Sequence, residues 1–370
     1  MSRLRWTTAV PLLAGVLLVA TWGRHPGAVI LVIVALALVG AVLAAVHHAE
    51  VVAHKVGEPF GSLILAVAVT VIEVGLIVTL MASGGKDTSA LARDTVFAAV
   101  MISINGIAGL SLLISALKHR LAVFNPEGTG SALATVIALA SLCLVLPSFT
   151  TSEPGPEFDS SQLAFAAVAS LVLYLMFVFT QTVRHRDFFL PVDRHGATIS
   201  EASDAEADHS DEHHAEPPSL RATQISLVLL FVALVAVVGL AKIESPAIED
   251  AVAALGFPHA VVGVVIAMLV LLPEGISAVR SAGREKVQIS LNLAYGSAMA
   301  SIGLTIPTIA VASIWLDGPL RLGLDSTQIV LLFVSVVVGI LTVVPGRAKP
   351  LAGGVHLVLL AAFVFLSIRP

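Results

Sequence analysis

GEPFGSLILAVAVTVIEVGLIVTLMA, residues Gly57–Ala82, is an apolar run of membrane length with a single acid, Glu73, deep in its interior. A carboxylate at that depth costs about 3 kcal/mol or more unless it is protonated, paired or bound to a cation, so Glu73 is a candidate functional residue from the outset. The stretch Gly256–Val279, GFPHAVVGVVIAMLVLLPEGISAV, repeats the arrangement with Glu274. Two such acids in matching settings point to a duplicated device.

The rest of the composition agrees with a membrane setting. Of 370 residues, 57% are hydrophobic and 12% charged, where an ordinary soluble domain has about 45–50% and about 25%. An all-α polytopic membrane protein follows. Cys143 is the only cysteine, which excludes an internal disulfide, a CxxC redox pair and a thiolate metal cage. No P-loop and no GxSxG elbow occurs, so nothing argues for an enzyme. The N-terminal MSRLRWTTAVPLLAGVLLVATWG has the basic start and apolar core of a signal peptide but no convincing A-x-A site, and is expected to stay as an uncut first span.

About 20 mostly apolar residues make a helical span, and eleven are expected: 6–22, 27–47, 59–82, 95–117, 130–151, 162–183, 222–241, 256–279, 288–315, 327–344 and 350–368. Lys and Arg in the flanks set the orientation. With the N-terminus inside, that side holds Arg3, Arg5, Lys55, Lys118, Arg120, Arg184, Arg186, Arg194, Arg221, Arg280, Arg284, Lys286, Arg347 and Lys349. The outside keeps only Arg24, Lys86, Arg93, Lys242, Arg321 and Arg369, which favours a cytoplasmic N-terminus and an external C-terminus. The two acids then lie on spans 3 and 8, five apart and therefore antiparallel. Spans 2–6 (residues 26–183) and 7–11 (222–370) are expected to form two inverted five-helix repeats, with residues 1–25 an added helix; such repeats let one site face either side.

The one long hydrophilic segment, 184–221, joins the halves. Asp187, Asp193, Glu201, Asp204, Glu206, Asp208, Asp211, Glu212 and Glu216 lie in it with five histidines, His185, His195, His209, His213 and His214. Two readings stand: a solvated linker, since like charges resist packing, or a cation-attracting or cation-sensing element. It lacks the regular spacing of an EF-hand loop.

Around the acids, Thr70 precedes Glu73 by about one turn on the same helical face. Glu274 sits between Pro273 and Gly275; the proline removes a backbone donor and is expected to free the carbonyl of Val270, while the glycine loosens the following turn. Carbonyl and carboxylate oxygens are what Ca²⁺, Na⁺ or K⁺ accept. The next span in each half offers small and polar residues, Ser103, Asn105 and Gly106 in one, Asn292, Gly296, Ser297 and Ser301 in the other. These either support the site or serve plain helix packing. Glu50 and Glu58 read as an entrance funnel or as interfacial acids, and the HHAEVVAH run with His47, His48 and His54 is not a zinc HExxH. Two neighbouring carboxylates match a divalent ion in charge, and once it leaves, protons relieve the two anions left in a low-dielectric setting. Cation and proton then compete for the same oxygens, which yields exchange if the empty, doubly ionised carrier cannot turn over. At about 1.5 Å per residue, counting from Pro59 and Pro258 puts Glu73 roughly 21 Å in from one side and Glu274 roughly 24 Å in from the other. On that count both lie past the midplane and apart, unless tilt brings them together.

At GEPFGSLILAVAVTVIEV (57–74), in the span with Asn105 and Gly106, at VVGVVIAMLVLLPEGISAVR (261–280) and at NLAYGSAMASIGLTIP (292–307), the sequence resembles the cation/proton exchanger family of the Ca²⁺:cation antiporter superfamily, most closely its bacterial ChaA-type members. The resemblance implies an inner-membrane antiporter that expels cytoplasmic Ca²⁺ against external H⁺, with the two essential repeat glutamates at Glu73 and Glu274. It implies no resident cofactor and no nucleic-acid partner; the partners are inorganic cations, protons and the bilayer, and a homo-oligomer is compatible with it. Many members have G-N-x-x-E in both repeats, and here Thr70 and Leu271 stand at the Asn positions. Thr70 still offers an oxygen and Leu271 does not, so Na⁺/H⁺ or K⁺/H⁺ exchange stays open beside Ca²⁺/H⁺. A cation channel or sensor is the reading from another class.

Overall fold

A computed structural model of the chain describes residues 6–24, 26–57, 60–82, 88–192, 218–315 and 318–370. Eleven apolar helical spans run through them: span 1, Trp6–Thr21; span 2, Ala28–Val56; span 3, Phe60–Ala82; span 4, Thr88–His119; span 5, Pro126–Ser148; span 6, Ser160–Arg184; span 7, Leu220–Ala254; span 8, Ala260–Ala282; span 9, Val287–Ala312; span 10, Ser326–Val343; and span 11, Pro350–Ile368. Ten are long and apolar enough to cross a bilayer, and span 1 is a shorter apolar helix. Large apolar side chains such as Phe165, Phe231, Phe333 and Leu351 lie exposed on the outside of the bundle. In water such a surface would drive aggregation; in a bilayer it is the lipid face.

The expected spans are all present, but two are longer than their apolar runs. Span 2 continues nine residues past 47 and span 7 thirteen past 241. Span 7 runs straight through Pro246, and neither helix stops until just before a glycine in the left-handed region, Gly57 (φ 77°) or Gly256 (φ 68°), so charged residues such as Glu50 and Glu244 stay inside the helix. Both glycines directly precede an acid-bearing span, where a side chain would strain the backbone.

Loop contacts fix the alternation of the spans. A two-residue antiparallel ladder joins Ala122–Val123, after span 4, to Arg347–Ala348, before span 11. At the same end Lys118 donates to the Gly283 carbonyl (3.2 Å) and His119 pairs with Glu285 (2.7 Å). This basic end therefore gathers Lys118, Arg120, Arg280, Arg284, Lys286, Arg347 and Lys349. At the opposite end the Arg321 N–H donates to the Ser89 carbonyl (3.0 Å), and Arg321 also reaches Glu157 (3.4 Å).

The interior divides into two packed clusters. One is built from spans 4, 5, 6, 9, 10 and 11; the other from spans 1, 2, 3 and 7. Span 8 serves both, since Val264, Ala267 and Leu271 belong to the first while Val262, Ile266 and Val270, four residues apart, belong to the second. A helix apolar all round is what a position between two cores requires. Span 3 sends Ile72 and Leu76 into the second cluster and Ile77 into the first, so both acid-bearing helices lie on the seam. The halves also pack reciprocally: span 3 on span 9 and span 8 on span 4, span 4 on span 11 and span 9 on span 6.

Candidate cation site

A cavity of about 230 Å³ lies between spans 3, 6, 8 and 9, and both Glu73 and Glu274 line it. They are 2% and 7% exposed and close enough to feel each other's charge. The helical-rise count, which sets them apart on opposite sides of the midplane, does not describe the packed molecule. Counting from a helix start assumes that the start marks the bilayer surface, and tilt and packing decide otherwise.

Span 9 supplies the polar wall. Ser301 donates to Glu73 Oε2 (2.9 Å), and Ser297, Gly296 and Asn292 line the same space. Thr70 lines it from span 3, one turn below Glu73. The other Glu73 oxygen, Oε1, and Glu274 Oε2 are buried without a hydrogen-bond partner among the described residues. So is the hydroxyl of Thr305, which sits beside the Glu73 carboxyl where span 9 breaks after Gly303. A buried polar group left unsatisfied costs about 1–3 kcal/mol, more when charged. Two carboxylates with spare oxygens facing one cavity are what a cation or protons would satisfy. Among the described residues no group of three His, Cys, Asp or Glu side chains could hold a resident metal.

Other expected residues fall elsewhere. Asn292 reaches the cavity wall, but its amide is engaged: Nδ2 donates to the Phe189 carbonyl (2.7 Å) and Oδ1 accepts from Gln288 (2.9 Å). Asn105 points away, toward spans 10 and 11. Val270 is packed in the second cluster, and an α-helix bonds residue 273 to the carbonyl four positions earlier, so the acceptor that Pro273 leaves free is Leu269 and not Val270. Span 8 runs unbroken across Pro273 and Gly275, and Gly275 faces Ile107 rather than opening a turn. Leu271, at the Asn position of the resembling motif, does line the cavity.

One polar residue of the cavity wall escaped the sequence. Gln181 lines the cavity from the π turn Thr180–Arg184 that closes span 6; a lone amide in the run FTQTV was the available signal. Glu50, exposed on span 2, lies near enough to Glu274 to interact with its charge, which fits the funnel reading. Glu58 and most of the acidic segment, 193–217, lie outside the described residues.

The sequence model of the family described as sodium/calcium exchanger protein matches residues 26–183 and 225–369. The chain belongs to that family. Among relatives of this chain, a Sinorhizobium fredii (strain NBRC 101917 / NGR234) protein named for ionic transport is 42% identical over 372 residues, covering 99% of this chain and 96% of the relative. The sodium-potassium/proton antiporter ChaA of Escherichia coli (strain K12) is 32% identical, covering 96% and 93%. The solved structure of native YfkE superposes with a TM-score of 0.69 at 16% identity, over 99% of each chain. The motif resemblance is borne out, and the relatives carry antiporter and transporter names.

Proposed function

We propose that the protein is a secondary antiporter of a bacterial inner membrane, exchanging a cytoplasmic cation for external protons by alternating access through one site formed by Glu73 and Glu274. The observation that carries this is the shared cavity, in which two antiparallel helices of the two halves each present a carboxylate with an unpartnered oxygen. The reciprocal packing of spans 2–6 and 7–11 supports reading them as an inverted repeat. The cavity walls run from the glutamates toward Leu65, Gln181 and Ile289, at the basic end of the bundle. By the excess of Lys and Arg that end is cytoplasmic, so the chain faces inward. Protons arriving from outside neutralise the two carboxylates and allow the carrier to turn; at the inner face a cation displaces them.

Ca²⁺ is the first-choice substrate, because two carboxylates balance its charge. The second reading, Na⁺ or K⁺, is favoured by Leu271 on the cavity wall and by the identity to a relative named for sodium-potassium/proton exchange. Respiring everted vesicles with a pH-sensitive dye separate them: the gradient collapses on adding the ion carried and not the others. A cation channel would instead dissipate the cation gradient with no coupled proton movement, and that result would overturn the proposal.

Leu271→Asn tests the choice of ion directly. One turn before Glu274, an amide oxygen at 271 would share its helical face. The ratio of half-saturating concentrations is expected to move about tenfold toward Ca²⁺ over Na⁺ or K⁺, about 1.4 kcal/mol for one added oxygen ligand that the divalent ion draws more strongly. An unchanged ratio in correctly inserted protein would remove Leu271 from the selectivity argument.

A further inference from the structure

Span 4 is not a uniform α-helix: residues Ile102–Ile107 form a π turn. Such turns hold one residue more than the α register and persist where side chains favour them. The turn carries Asn105, fully buried, and two side chains from other helices meet it. Asn105 Nδ2 donates to Ser335 Oγ of span 10 (2.8 Å), and Asn105 Oδ1 accepts from His356 Nδ1 of span 11 (2.9 Å). Ser335 and His356 are 0% and 1% exposed. With the amide placed this way the His356 proton is on Nδ1, and Nε2 is buried without a partner.

Each side of the turn is tightly seated. Spans 4 and 11 touch backbone to backbone, since a Cβ on Gly109 would lie 2.6 Å from His356 Cβ and one on Gly353 would lie 2.6 Å from the Gly109 carbonyl oxygen. His356 cannot shift without span 4. On the other side the last residue of the π turn, Ile107, is the neighbour that faces Gly275, the residue after Glu274. A return to the α register would turn Ile107 by about 100° about the helix axis and disturb the packing of this turn on span 8.

We propose that His356, with Ser335, clamps the Asn105 π turn of span 4 and through Ile107 fixes the turn of span 8 that carries Glu274, making His356 a positioning residue for the exchange site. This rests on the function proposed above. It assigns Asn105 a role behind the site rather than as a ligand.

The test uses the full chain in everted vesicles, with the rate of gradient collapse followed against Ca²⁺, Na⁺ or K⁺ concentration. His356→Ala is expected to raise the half-saturating concentration roughly fivefold, the weight of about one buried hydrogen bond, with maximal rate within about twofold of the parent. His356→Gln, whose amide N–H can donate to Asn105 Oδ1, is expected to restore it, and Ser335→Ala to give a smaller rise. A merely structural histidine would lower the amount of inserted protein and leave half-saturation unmoved, and that outcome overturns the clamp. So does a Gln variant as impaired as the Ala variant at equal protein level. Absence of exchange in the parent would instead refute the proposed function. The clamp would then be judged by the cation concentration that raises the melting temperature of detergent-solubilised protein, where an identical dependence in parent and His356→Ala refutes it.

Discussion

Everted vesicles carrying Glu274→Gln are expected to lose cation-driven collapse of the proton gradient by at least about a hundredfold in rate, as are those carrying Glu73→Gln, since losing one buried charged partner costs about 3–5 kcal/mol. Glutamine keeps the shape of the side chain and its packing but carries neither the charge that holds the cation nor a titratable proton. At Glu73 it can still accept from Ser301, whose hydroxyl now bonds Oε2 (2.9 Å), so the fold has no reason to fail. The loss should therefore appear with normal protein content in the membrane, checked by immunoblot beside the dye measurement. Glu274→Asp, which keeps the charge and withdraws it by one methylene, is expected to fall between. Full exchange in either Gln variant would show that the paired acids are not the coupling site, whichever ion is moved.

The second large effect concerns stability. Spans 4 and 11 approach so closely at Gly109 and Gly353 that a Cβ on Gly353 would sit 2.6 Å from both the Gly109 oxygen and the Leu113 nitrogen. These are backbone atoms, which cannot rotate aside, so Gly353→Val forces the helices apart. Overpacking of this kind costs about 1–3 kcal/mol and sometimes more, and membrane helix pairs depend on small residues at such contacts. Gly354→Val is the matched control, because nothing lies within 4 Å of its added Cβ. A drop of many degrees in the detergent melting temperature for Gly353→Val beside little change for Gly354→Val is expected; equal behaviour of the two would disprove the close packing.

Much of this was legible in the sequence because a bilayer imposes simple demands. Eleven apolar runs gave eleven spans, and an acid such as Glu73 in an apolar run is too costly to be incidental. The failures have equally specific causes. Hydropathy marks where lipid ends and not where hydrogen bonding ends, so spans 2 and 7 ran on to Gly57 and Gly256. The polar residues of span 4 looked like those of span 9, yet the π turn rotates Asn105 toward Ser335 and His356 while Ser301 meets Glu73. A register change of one residue leaves no mark in composition. Nor could His356 be matched to Asn105 across 251 positions, because that pairing exists only through the packing of span 11 on span 4.

The division of the interior into two clusters that meet along spans 3 and 8 bears on how such a molecule can move. Two bodies, each with its own packed apolar core, can slide past one another without exposing either interior, as layers shear in enzymes that close on a substrate. The work of such a stroke is confined to the bearing surface between them. The helices that carry Glu73 and Glu274 stand on that surface, so the residues proposed to choose the passenger also sit where such a machine would slip.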